Sequence, residues 1–104
     1  MSDFTRARIA LEKRILEGPG EASPADRRAA FNDSGLAEPL GMLVDKVSRN
    51  AFSVTDSDFA HAMTSGTSED QLFEIVVCAA VGQASRQYGV AAAALEAATR
   101  KERV

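Results

Sequence analysis

From Leu72 to Ala84 nearly every side chain is apolar: Leu72, Phe73, Ile75, Val76, Val77, Cys78, Ala79, Ala80, Val81 and Ala84. The run does not alternate apolar with polar residues, so a half-buried strand is excluded, and its alanines favour a helix. Directly before it stands Ser68-Glu69-Asp70-Gln71. In that pattern the serine hydroxyl accepts from an amide one turn on, and the glutamine returns the bond to the serine amide. Glu69 and Asp70 also suit the positive end of the helix dipole. The spacing predicts a helix from Ser68 to about Tyr88, broken at Gly89. A helix apolar on all sides must be covered, and a bundle of 104 residues has few places to hide it. The expected cover is another subunit: a homo-oligomer through 68–88, or a hetero-oligomer with a related chain.

The rest of the chain reads as shorter helices set off by clear stops. Phe4, Ile9, Leu11, Ile15 and Leu16 recur near helical spacing, which predicts a helix over 3–17. The residues before it read as a frayed end. Gly18-Pro19-Gly20 halts that helix, and Ser23, Pro24 and Asp26 start a second, which ends near Phe31 before Asn32-Asp33-Ser34-Gly35. Pro39 opens a third, from about Glu38 to Phe52, with Leu40, Leu43, Val44 and Val47 on one face. Thr55 caps a fourth with Asp58 three residues on, and Ser65-Gly66 ends it. After Gly89, Val90 to Arg100 forms a last, alanine-rich helix. The expectation is one all-α domain over 1–104, a compact bundle of about five to six helices. N-terminal helices occupy 1–35 and the core unit 36–104.

Composition narrows the function. The net charge is −3, and the short basic clusters Arg6-Ala7-Arg8, Arg27-Arg28 and Arg100-Lys101 have acids nearby, so they read as solvated faces. Nucleic-acid binding, which needs clustered phosphate-neutralising cations, is not expected. No stretch is long and apolar enough to span a bilayer, and Met1 to Arg6 lacks a signal peptide's apolar run. The lone cysteine, Cys78, excludes an intrachain disulfide and any all-cysteine metal site, which points to a reduced cytoplasmic setting. Neither a cofactor nor a metal is expected.

The stretch from Asp58 to Ala98 resembles the carboxymuconolactone decarboxylase and alkylhydroperoxidase D superfamily. The carrying residues are Ala62 to Glu74: a helix, a glycine, a capping Ser with acids, then a helix opening on an apolar residue. Val77-Cys78-Ala79-Ala80-Val81-Gly82 and the segment from Arg86 to Leu95 look like its continuation. The resemblance implies an alkylhydroperoxidase D-like all-α fold that assembles as an oligomer. It also implies where thiol chemistry would sit, because peroxidase members carry a CxxC pair and a following histidine before the glycine turn. The matching positions here hold Ala51, Val54 and Asp58. Peroxide turnover needs an attacking thiolate and a resolving thiol, so that activity is not expected.

Three residues remain as candidates for chemistry. His61 has Asp58 one turn before it, an arrangement that can orient an imidazole for acid–base work or simply decorate a surface. Glu74, among Phe73, Ile75 and Val77, reads either as a base of raised pKa or as the partner of a neighbouring arginine. Arg86, in a polar group with Gln83, Gln87 and Tyr88, suits a substrate carboxylate or an intersubunit ion pair. Asp56 and Asp58 read as helix-capping acids rather than calcium ligands. Cys78 reads as a small buried hydrophobe. Two functions follow: a binding or assembly protein without Cys-pair peroxidase activity, or a cysteine-independent decarboxylase or isomerase acting on a small organic acid through His61, Glu74 and Arg86.

Overall fold

Residues 2–102 are described by the computed structural model, and the extreme ends of the expected 1–104 unit lie outside them. The elements are α1 (Asp3–Glu17), α2 (Pro24–Phe31), α3 (Leu40–Asn50), a 3-10 turn (Ala51–Ser53), α4 (Asp56–Met63) and α5 (Glu69–Glu102). No strand occurs among the described residues. The fold is all-α, with α5 at its centre and the four shorter helices around its first half.

The helix starts follow their side-chain chemistry. The hydroxyls of Ser23 and Thr55 accept from the amides of Asp26 (3.1 Å) and Asp58 (3.2 Å). Ser68 and Gln71 make the reciprocal pair: the Gln71 amide donates to Ser68 Oγ at 3.1 Å, and the Ser68 amide to Gln71 Oε1 at 2.9 Å. Gly66, at φ +90°, turns the chain between α4 and α5. Two starts differ from the sequence expectation. The N-terminus is not loose, because Ser2 caps α1 by accepting from the Thr5 amide at 3.0 Å. α3 begins at Leu40 rather than near Glu38, with Pro39 at its N-cap position and the Glu38 carboxylate accepting from the Met42 amide at 3.0 Å.

The larger correction concerns α5. Gly89 does not break it, and Val90 to Arg100 is no separate helix; the 34-residue element runs straight through. One glycine costs a helix about 1 kcal/mol relative to alanine, and Ala91 to Ala94 directly after it are the strongest helix formers available. At 1.5 Å per residue the helix is about 51 Å long, nearly the whole 57 Å axis of the molecule.

Of the apolar run, Leu72, Ile75, Cys78 and Ala79 are buried within the chain, while Phe73, Ala80 and Ala84 stay exposed. Ile75, Cys78 and Ala79 share a buried cluster with Leu16, Ala22, Ala30 and Val44, while Leu72 meets Leu43 and Ala62 in a second. Residues of the N-terminal helices therefore share one core with the later ones. Each large aliphatic side chain so buried contributes about 1.5–3 kcal/mol. The approach of α2 is closest at Gly82, where a Cβ would lie 2.0 Å from the Phe31 carbonyl oxygen. Beyond Tyr88 the picture reverses, and residues 89–98 are all exposed.

Candidate functional site

A cleft of about 560 Å³ opens where α1, α2 and the first turns of α5 meet. Leu11, Ile15, Phe73 and Val77 form its apolar wall, and Arg14, Arg27, Glu74 and Cys78 supply its polar groups. Glu74 reaches this place because it lies one turn into α5, on the side facing the glycine-rich α1–α2 loop. Its carboxylate accepts from the Glu21 amide at 2.8 Å (Oε2) and 3.0 Å (Oε1), and from the Ala22 amide at 3.4 Å. Gly20 permits the approach, since a Cβ there would stand 1.9 Å from Glu74 Oε1. Glu74 thus fastens the loop to α5 through backbone amides rather than through an arginine.

Arg27 is the residue that sequence reasoning missed. It was expected on a solvated face, yet it is only 4% exposed. Its Nη1 donates to the carbonyls of Gly18 at 2.8 Å and Ile15 at 3.1 Å, the orphan acceptors at the end of α1. Its Nε is buried without a hydrogen-bond partner among the described residues. The signal that could have found it is positional: α1 ends at a Gly-Pro-Gly stop with no capping side chain of its own, so another element must supply a donor.

Cys78 lies beside this guanidinium and is buried, with Sγ donating to the Ile15 carbonyl at 3.6 Å. Burial pushes the thiol pKa up; the charge of Arg27 opposes that rise and the charge of Glu74 adds to it. The thiol is protonated and enclosed, the reverse of what a nucleophilic cysteine requires.

The other two expected site residues lie elsewhere. His61 is exposed and lines a second cleft, of about 410 Å³, between α3 and α4 with Lys46, Asp58 and Arg49. Asp58 does not orient it. The Asp58 carboxylate accepts from Lys46 Nζ at 2.8 Å and from the Thr55 amide at 2.9 Å, and these bonds, Lys46 first, hold its pKa below the usual carboxylate range. Arg86 donates to the carbonyl of Phe31, the last residue of α2, and to Gln83 Oε1 at 3.0 Å. It acts as a clamp on a helix end. Glu74 and Arg86 therefore fasten two different junctions, and His61 lines the α3–α4 cleft, apart from both.

Among the described residues no three His, Cys, Asp or Glu side chains gather as metal ligands, and no helix is long and apolar enough to cross a membrane. Comparison with protein-family models, with curated proteins and with solved structures returns no match.

Proposed function

We propose that the chain is a carboxymuconolactone decarboxylase-like helical protein that works by binding and assembly, with itself or a related subunit, and has no Cys-pair peroxidase activity. The observation that carries this reading is the state of its sulfur and of the three positions where that family's peroxidases keep theirs. Ala51 and Val54 hold no thiol, Asp58 is committed to Lys46 and Thr55, and Cys78 is enclosed against the Ile15 carbonyl. A cytoplasmic setting suits a protein whose one cysteine is a core residue.

The test is turnover of an alkyl hydroperoxide with a dithiol reductant. Wild type and Cys78→Ala should both stay at the uncatalysed rate. Turnover by the wild type that disappears in Cys78→Ala contradicts the proposal.

One observation favours a second reading, in which the protein binds a small organic acid. The α1–α2–α5 cleft combines an apolar wall with Arg14 and Arg27, and Arg27 is a buried cation whose Nε has no hydrogen-bond partner among the described residues. A planar carboxylate matches a guanidinium fork. Calorimetric titration with benzoate should then give heat that Arg14→Gln weakens, whereas no heat at millimolar benzoate removes this second reading.

A further inference from the structure

From Val81 onward α5 carries a seven-residue repeat. Val81, Tyr88 and Leu95 recur at one position of it, and Ala84, Ala91 and Ala98 at another. The alternating spacing of three and four places all six along one stripe of the helix. The side chains flanking the stripe are Ser85, Gln87, Ala92, Ala94 and Thr99, all uncharged. Arg86, Glu96 and Arg100, the charged residues between 81 and 100, fall on the far side.

Only the first half of the stripe meets its own chain. Phe4, Ala7, Arg8 and Leu11 of α1 face Val81, Ala84, Ser85 and Tyr88 across an open, mostly apolar groove of about 330 Å³, with Arg8 5.2 Å from the centre of the Tyr88 ring. The Phe4 and Tyr88 rings lie 5.1 Å apart, and α1 begins at Asp3, so α1 ends level with Tyr88. Among the described residues none covers Ala91, Leu95 or Ala98, and Leu95 is 69% exposed.

We propose that this stripe joins two copies of the chain, with their α5 helices antiparallel about a twofold axis between Gly89 and Val90. This inference rests on the assembly reading above and names its surface. In that register Val81 meets the partner's Ala98, Ala84 meets the partner's Leu95, and Tyr88 meets the partner's Ala91. Every large side chain faces an alanine, so the helices close to about 8 Å without a void or a clash. The complementarity belongs to one stripe against itself reversed, which is what a twofold contact requires. A parallel pair would set Tyr88 against its own copy and leave gaps at each alanine layer.

The partner's tail also fills the groove beside α1, covering Phe4 and Leu11. The apolar surface removed comes to roughly 600 Å² per copy, or about 1,200 Å² in all, above the ~1,000 Å² expected of a biological interface. The interface expected at 68–88 thus moves about a dozen residues towards the C-terminus, onto 81–98.

The experiment is sedimentation velocity on the full chain at tens of micromolar, with circular dichroism on each variant. The wild type should be a dimer. Leu95→Glu and Ala91→Glu change exposed sites, so they should keep the helix content yet weaken the dimer by about 100-fold or more. Phe52→Ser and Phe73→Ser, at exposed apolar positions off the stripe, should stay dimeric. Spin labels at Arg100→Cys in a Cys78→Ala background should lie about 35 Å apart, against less than about 20 Å for a parallel pair. A monomeric wild type overturns the inference and the self-assembly part of the reading it rests on, leaving only a related subunit as partner. A dimer that survives Leu95→Glu and Ala91→Glu, or one lost in Phe73→Ser, overturns this surface and leaves assembly standing. A short label distance overturns the antiparallel register.

Discussion

The two halves of α5 are built from similar residues and live in opposite surroundings. Residues 72–82 form the axis of the bundle, with Ile75 1% exposed and α2 pressed against Gly82. Residues 89–98 form the same kind of helix, all exposed among the described residues. Gly82 and Gly89 sharpen the contrast, being seven residues apart and so on nearly the same face. A Cβ on the first would strike the Phe31 backbone, whereas a Cβ on the second would meet nothing within 4 Å. Local sequence makes both halves helical, and only the surrounding chain decides which is core. Helical stability in the first half comes from packing, and in the second from alanine propensity alone.

The widest separation should come from truncating one large apolar side chain in each half. Ile75→Ala leaves a cavity in the main cluster and should cost about 3–4 kcal/mol, whereas Leu95→Ala should change the stability of the isolated subunit by less than about 0.5 kcal/mol. Urea unfolding at low protein concentration measures both, and similar costs would erase the distinction. Next come the glycines. Gly82→Ala forces α2 away from α5 and should cost about 2–3 kcal/mol, while Gly89→Ala should gain up to about 1 kcal/mol. Equal signs in thermal melts would show that α2 does not press on the helix as described. Smallest is the cap: Ser68→Ala should cost about 1 kcal/mol, lowering Tm by about 4–8 °C. An unchanged melt would place the start of α5 elsewhere.

Much of this was legible because some signals are local. Ser23, Thr55 and Ser68 announce helix starts through hydroxyls acting within a single turn, and Gly66 ends one by needing positive φ. What misled was context. Gly89 looks like a stop when read alone, but the alanines after it outweigh one glycine. The run from Leu72 to Ala84 looks apolar on all sides, yet α2, α3 and α4 bury Leu72, Ile75, Cys78 and Ala79 and leave Phe73, Ala80 and Ala84 exposed. Arg27 looks like a surface charge because nothing nearby in sequence shows that the end of α1 offers it the carbonyls of Ile15 and Gly18. The candidate residues followed the same rule. Glu74 was recognisable as unusual, but its partners, the amides of Glu21 and Ala22, lie more than fifty positions away.

The division of α5 is tested most directly by amide hydrogen exchange read residue by residue along the helix at two protein concentrations. Amides of 75–80 should be protected to the same degree in dilute and concentrated samples, because their cover belongs to their own chain. Amides of 90–98 should exchange rapidly when dilute, as an unsupported helix end does, and become protected as concentration rises. Strong protection of 90–98 in the dilute sample, or concentration dependence at 75–80, would contradict the account.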